Sequence, residues 1–453
     1  MEPRIIERAE HPISRRDIDP NVLKVLYRLI NAGHLAYLVG GGVRDLMIGR
    51  KPKDFDVATS AHPQQVRDLF RNSRLIGRRF RLVHVFFGPQ NIEVATFRRR
   101  SEEPAGTDDP MIRLDNTFGT PEEDAFRRDF TVNALFYDPA TFQVIDFAGG
   151  ADDLRARLIR TIGEPELRMR EDPVRMMRAV RFAAKLGFEI EPATRAAIER
   201  HRNDLLKASM PRLVEETYRT VGQAEAGRAT SLMEELGLLE PMLPFLSAHL
   251  KETSAADSPA PMLSHMRALG RTIDEGFAAD HAFVLGAMLF DFMRSRRHAE
   301  NADEFDLLAE LRQRGFARGD TERMRLISDA FQHLAAPSRR TRRLVRRPYF
   351  GDARRFFEMI APSYGIDVTG LHRFLDDPEG FFTQRQPGGE NQPPGTSRRR
   401  RRRRRRNRRP RHPAGAVGAA ADGDGTLRET SGLSGAASVP ESRLTEPKEP
   451  PGD

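Results

Sequence analysis

Hydrophobic positions along the chain fall into two patterns, and the change between them comes near residue 150. From Pro20, the residues Val22, Leu23, Leu26, Leu29 and Ile30 recur at helical spacing, with Gly33 as a stop. The apolar run 35–39 leads into Gly40, Gly41 and Gly42, which reads as a strand entering a tight turn, with a helix over 43–48. Residues 53–58, 83–87 and 92–97 read as further strands, 64–70 as a helix, 125–135 as helical and 144–147 as a closing strand. Beyond 150, long amphipathic stretches take over, at 172–187, 192–206, 211–236, 280–294, 303–314 and 321–335, with connections at 253–260 and 337–346. The pattern predicts an α+β chain, with a small mixed sheet and helices in the N-terminal part and an all-helical remainder.

At 453 residues, length alone suggests about two to four units. Segment character divides the chain into a polar arm expected to be mobile (1–19), a head (20–150), a helical neck (151–215) and a helical body (216–383). A Pro-, Gly-, Ser- and Arg-rich tail (384–453) is expected to be disordered because it cannot bury a core. The formal charge is +9, but nine consecutive arginines from Arg398 to Arg406, with Arg408, Arg409 and Arg411, supply twelve of the positive charges. Without them the chain carries 9 − 12 = −3, so its basic character belongs to one segment. There are no cysteines, which excludes disulfides and thiolate chemistry and suits a reducing compartment. Charges occupy the N-terminal stretch where a signal peptide needs an apolar core, so no targeting segment is expected. The longest apolar stretch, 282–293, contains Asp291 and falls short of the roughly 20 residues a membrane span needs; it reads as a buried helix, and no membrane partner is expected.

Candidate chemistry centres on Asp54 and Asp56. Two residues apart on a strand, their carboxylates would share a face, and such close like charges call for a cation, for which hard Mg2+ with oxygen ligands is the natural choice. An isolated pair of this kind is usually no more than exposed strand-end acid. Here Gly-Gly-Gly-Val-Arg-Asp, residues 40–45, comes just before it. Gly41 and Gly42 would let backbone N–H groups approach a triphosphate, and Arg44 could pair with its oxygens. Downstream, Asp172, Arg175 and Arg178 recur every third residue on an expected helix and would offer acceptors and donors on one face.

Together these motifs resemble the signature of the DNA polymerase β nucleotidyltransferase superfamily, in its class II branch of CCA-adding enzymes and bacterial poly(A) polymerases. Residues 127–134, Arg-Arg-Asp-Phe-Thr-Val-Asn-Ala, are similar to the family's Arg-Arg-Asp motif, and residues 171–182 to its Glu-Asp-x-x-Arg motif. The resemblance implies that Arg128 and Asp129 bind the nucleotide and support the catalytic acids, with Asp129 as the third carboxylate. It implies that Asp172 and Arg175 read the incoming base, and that Arg178 and Arg181 lie near the triphosphate. Glu93, in an apolar strand, could supply a further metal ligand. Two Mg2+ ions, with Mn2+ as a substitute, would activate an RNA 3′-hydroxyl against ATP.

Within the branch, residues 75–85, with Arg78, Arg79 and Arg81, resemble the segment that sets bacterial poly(A) polymerases apart. Those arginines, and the tail set that includes Arg398, Arg400, Arg403 and Arg406, would suit RNA phosphates. The expected activity is therefore addition of AMP to single-stranded RNA 3′ ends in RNA processing and decay, in the cytoplasm, with RNA-decay machinery as a partner. A CCA-adding tRNA nucleotidyltransferase is the nearest alternative, although the chain has no His-Asp dipeptide of the kind found in the phosphohydrolase domain of some CCA enzymes. A non-catalytic RNA-binding protein is a third reading, disfavoured because both carboxylates remain.

Overall fold

The computed structural model describes residues 2–77, 82–99, 118–254, 261–297, 306–379 and 381. The strands Arg4–Ile6 (β1), Ala36–Val39 (β2), Asp56–Thr59 (β3), Ser73–Ile76 (β4), Leu82–Phe87 (β5), Gln90–Thr96 (β6), Leu135–Asp138 (β7) and Gln143–Asp146 (β8) form one sheet in the order β1-β8-β7-β2-β3-β6-β5-β4. All neighbours pair antiparallel except β3 and β6, which run parallel and set Asp56 opposite Glu93. Helix Pro20–Asn31 (α1) begins on Asp19, whose side chain accepts from the Asn21 N–H, and buries Val22, Val25, Leu26 and Leu29. Helix Gly41–Met47 (α2) follows β2 directly, and helix Pro63–Leu69 (α3) follows β3. The sheet-and-helix head and the helices after it share one continuous hydrophobic core, and all the described residues fall within one compact unit. The α+β class is as expected.

Several expectations are corrected. The segment 1–19 is not a detached arm. β1 adds a strand to the sheet against β8, and Ile6, Ile13 and Ile18 are at most 4% exposed, three anchors hidden in a stretch whose charges obscure any period. The stretch 125–135 is not one helix. Helix Pro121–Arg127 (α4) ends early, a short 3-10 turn follows, and β7 starts at Leu135. The stretch 172–187 is broken as well: Glu-Asp straddles the junction of helix Pro165–Glu171 (α5) and helix Val174–Leu186 (α6), because Pro173 disfavours helical geometry at Asp172. Asp172 therefore sits at a helix break rather than on the helix face carrying Arg175 and Arg178. Residues 211–236 form two helices, Met210–Val221 and Ala226–Glu235, and the expected connection at 337–346 contains a helix, Arg339–Leu344. Helix His281–Arg296 is buried around nearly its whole circumference, and no helix among the described residues is long and apolar enough to cross a membrane.

Candidate functional site

The turn from β2 into α2 fixes the site's geometry. Gly40 adopts φ +70 and ψ −135, a conformation open only to glycine, and a Cβ there would meet Arg128 Nη1 at 3.1 Å and Asp56 Oδ2 at 3.9 Å. The bare backbone thus lets a guanidinium and a carboxylate pass close on either side. Gly41 faces a cavity of about 530 Å3 also lined by Arg44, Asp56, Arg128, Asp129, Asp172 and Arg178. Gly42, expected beside a phosphate, instead packs on the backbone of Asp54, whose carbonyl a Cβ would meet at 3.4 Å.

Most of the charges on this cavity are tied into a rigid lattice. Arg44, only 2% exposed, donates twice to Asp45 Oδ1 (2.8 and 2.7 Å) and once to Asn133 Oδ1 (2.6 Å). Asn133 in turn donates to Asp129 Oδ1 (3.0 Å), which also accepts from the Phe130 N–H (2.8 Å), while Asp129 Oδ2 accepts from Arg178 Nε (2.8 Å). Burial pushes the Asp129 carboxyl up, but the Arg178 guanidinium and these hydrogen bonds outweigh it and hold it at about 2. Arg128 donates to Asp124 Oδ2 (2.8 Å), and the buried Arg168 donates to the Arg127 carbonyl (3.1 Å) and to the Arg128 carbonyl. The Phe182 ring packs beneath three guanidiniums, those of Arg44 (5.2 Å), Arg178 (5.4 Å) and Arg181 (4.4 Å). Asn133, Asp124, Arg168 and Arg212 were not singled out from sequence. Asn133 alone had a visible signal, as a polar residue closing the Arg-Arg-Asp motif before an apolar strand.

Asp172 is the exception in this lattice. Its Oδ2 accepts from Arg212 Nη2 (2.8 Å), while its Oδ1 is buried and has no hydrogen-bond partner among the described residues. Arg175, expected to read a base, donates to the Arg168 carbonyl (2.8 Å) and to Glu171 (3.3 Å), so its guanidinium is already engaged.

Among the described residues, Asp56 alone lines both this cavity and a larger one of about 1250 Å3, which holds Asp54, Glu93, Arg181 and Lys185. Asp54 precedes β3 rather than lying on it, so its approach to Asp56 comes from the turn and not from strand alternation. Glu93 stands opposite Asp56 in the parallel register and is also 3.5 Å from His84 Nε2. The Asp56 carboxyl reaches solvent yet lies low between the two walls. That burial raises its pKa, with the like charge of Glu93 adding, Arg128 opposing and Asp54 adding again. Three acids on one wall, one of them held above its ordinary pKa, are a donor set suited to a hard divalent cation. Among the described residues no three such side chains converge tightly enough to enclose an ion, so water and phosphate oxygens would have to complete its shell. The third carboxylate beside the pair is thus Glu93, whereas Asp129 is committed to Arg178. Arg181, expected near the triphosphate, faces the larger cavity and pairs with Glu216 (2.5 Å). Arg78, Arg79 and Arg81, and the tail arginines Arg398, Arg400, Arg403 and Arg406, lie outside the described residues.

A glycine turn, a guanidinium lattice and an acid wall whose Asp56 also faces the smaller cavity provide the donors and acids suited to a nucleotide and a hard cation. Comparison with known proteins agrees. Residues 36–160 match the family described as "Poly A polymerase head domain", and residues 187–250 match "Probable RNA and SrmB- binding site of polymerase A". Poly(A) polymerase I of Salmonella typhi is 47% identical over 293 residues, 63% of each chain. A CCA-adding enzyme of Bacillus velezensis is 40% identical over 227 residues, 50% of this chain and 56% of that one. The structure of the Bacillus stearothermophilus CCA-adding enzyme in complex with CTP superposes with a TM-score of 0.58 at 28% identity, over 81% of this chain and 83% of that one. The chain is similar to the class II nucleotidyltransferase family of poly(A) polymerases and CCA-adding enzymes. It spans about 63% of the length of the poly(A) polymerases that match it at 47% identity.

Proposed function

We propose that the chain is a polynucleotide adenylyltransferase, adding AMP from ATP to RNA 3′ ends and releasing pyrophosphate. The observation that carries this reading is the meeting of two cavities at Asp56, one lined by guanidiniums and one by acids and open to a chain end. ATP would lie in the smaller cavity, its phosphates toward Arg44 and Arg178 and its base toward Asp172. The free Oδ1 of Asp172 accepts from an amino group, which adenine and cytosine offer at that edge and uracil does not. The RNA 3′-hydroxyl would enter from the larger cavity and reach the Asp54 and Asp56 side of the shared wall. Divalent ions held by Asp54, Asp56 and Glu93 would lower the hydroxyl's pKa and neutralise charge on the triphosphate and leaving pyrophosphate, Mg2+ with Mn2+ as a substitute. Asp129 acts by holding Arg178 and Asn133 in place, a positioning role.

The choice of AMP over a C-C-A sequence rests on the greater likeness to poly(A) polymerases, 47% over 293 residues against 40% over 227. A role in mRNA processing and decay, in the cytoplasm and alongside RNA-decay machinery, belongs to the same proposal. The test offers the purified protein an RNA primer with each nucleoside triphosphate separately. A lengthening tract with ATP alone is expected. Ordered addition of C, C and A to tRNA followed by a stop would replace this reading with the CCA-adding one.

A further inference from the structure

The larger cavity has a wall that no recognised motif supplies. Residues 16–19 precede the stretch matched by the head-domain family, which begins at residue 36, yet they run along the cavity beside the acids. The segment is held rigidly there. β1 is hydrogen-bonded into the sheet, and Ile13 and Ile18 are buried. Asp19 accepts from the Asn21 N–H (2.7 Å) and from Gln90 Nε2 (3.0 Å), and Gln90 Oε1 accepts from Asn21 Nδ2 (2.9 Å), which locks the segment to the start of β6.

Its two adjacent arginines differ. Arg15 is used by the fold, donating to the Tyr27 hydroxyl (3.2 Å) and lying 4.6 Å over the Phe142 ring. Arg16 is exposed on the cavity side, and its guanidinium has no partner among the described residues. Lys51 and Lys53, in the turn that delivers Asp54, line the same cavity, are exposed and are likewise unpaired among the described residues. An RNA end that brings its 3′-hydroxyl to Asp54 and Asp56 carries its last phosphodiesters past these acids and Glu93, in a cavity that Asp17, Asp19 and Glu225 also line, and the carboxylates repel them. Cations at the mouth of the cavity offset that repulsion, and flexible lysines and arginine do so without reading sequence.

We propose that Arg16, Lys51 and Lys53 form a phosphate clamp for the last nucleotides of the RNA primer, with the N-terminal segment as its fixed jaw. The proposal rests on the reading of the larger cavity as the primer's entrance. Its test uses the full chain and a short oligoadenylate primer, measuring KM for primer and for ATP separately, and direct binding of the labelled primer without ATP. The triple change Arg16→Gln, Lys51→Gln, Lys53→Gln should raise primer KM about tenfold and leave KM for ATP within a factor of two. The binding slope against log salt should become shallower by up to about 2, at about 0.7 for each lost phosphate contact. Arg15→Gln should instead lower thermal stability and leave the slope as it was. An unchanged primer KM and salt slope in the triple variant overturns the clamp. Because binding is read without catalysis, a wild-type protein that binds primer but adds no nucleotide would refute the proposed activity and leave the clamp to be judged on its slope.

Discussion

Asp56 and Asp129 line the same small cavity, and chemically they are opposites. Asp129 is about one tenth exposed and accepts from Arg178, Asn133 and the Phe130 N–H, so its charge is fully compensated and its pKa falls to about 2. Asp56 shows no such partner among the described residues; it has two acids for neighbours, the Arg128 charge only partly offsets burial and their repulsion, and its pKa rises. The contrast separates two uses of the same side chain. A buried carboxylate whose hydrogen bonds are complete is part of the framework. One left in repulsion with its neighbours is maintained against stability, which is expected where a bound cation resolves the conflict.

The sharpest way to break this comparison is to remove each acid in turn. Asp54→Ala or Asp56→Ala should cut nucleotide incorporation by about two to four orders of magnitude, since several kcal/mol of charge stabilisation are lost. Thermal stability should hold or rise. Incorporation within tenfold of wild type, measured with Mg2+ in excess, would remove these residues from the site. Asp129→Ala should do the reverse to stability. It leaves Arg178 without its counter-ion and should cost about 3–5 kcal/mol in denaturant unfolding, as when one partner of a buried pair is deleted. The pH dependence of that loss has a definite sign. The folded pKa lies below the usual 3.8, so the carboxylate's stabilisation is complete above 3.8 and disappears as pH falls through about 2. The gap in stability between wild type and variant should therefore narrow at the acid end.

Much of this was legible in the sequence, for reasons that show where legibility ends. The β2-turn-α2 unit and the acids after it were found because glycine runs and Asp-x-Asp are local signals, and the Arg-Arg-Asp motif because it is contiguous. Glu93 could be placed beside Asp56 only by the parallel β3–β6 register, which depends on a crossover of 30 residues, 60–89. The commitment of Asp129 to Arg178 links residues 49 apart. That of Asp172 to Arg212 spans 40. No spacing rule reaches so far. Pro173 could have warned that Asp172 does not share a helix with Arg178, but the regular three-residue spacing masked it.

The helical body repeats the contrast away from the site. Asp291, inside helix His281–Arg296, accepts from His249 (2.9 Å) and from the Tyr364 hydroxyl (2.9 Å), a satisfied polar island in an apolar core. Next to it His265 is fully buried, and neither ring nitrogen has a hydrogen-bond partner of good geometry, the Ala287 carbonyl and Asp291 giving only partial compensation. Burial lowers its pKa from 6.5 to about 4, with Arg294 adding to the effect. A histidine with a depressed folded pKa favours the folded state above 6.5, and that contribution is lost as pH falls toward 4. Between pH 7 and pH 5 the wild-type protein should lose about 2 kcal/mol through this one group. His265→Leu should flatten that part of the stability profile. A profile equally steep in the variant would place the acid sensitivity elsewhere.

The smallest effect is the most discriminating between framework and function. Asp56→Asn keeps the shape of the side chain and removes its charge. Because the folded pKa of Asp56 lies above its ordinary 3.8, ionisation disfavours the folded state, and the penalty is present above the folded pKa and absent below 3.8. The variant should thus be slightly more stable than wild type at pH 7 and indistinguishable from it at pH 3, the reverse of the Asp129 pattern. The gain should be a fraction of 1 kcal/mol, since the carboxylate reaches solvent and its repulsion from Glu93 is screened. Adding Mg2+ sharpens the comparison further, because an ion that binds only the folded acids stabilises wild type by mass action and the variant much less. The order of stabilities at pH 7 should therefore invert as Mg2+ is raised. If wild type is the more stable protein without divalent cation, or if Mg2+ raises the melting temperature of both equally, then the acids at Asp54, Asp56 and Glu93 are not held in repulsion for a cation.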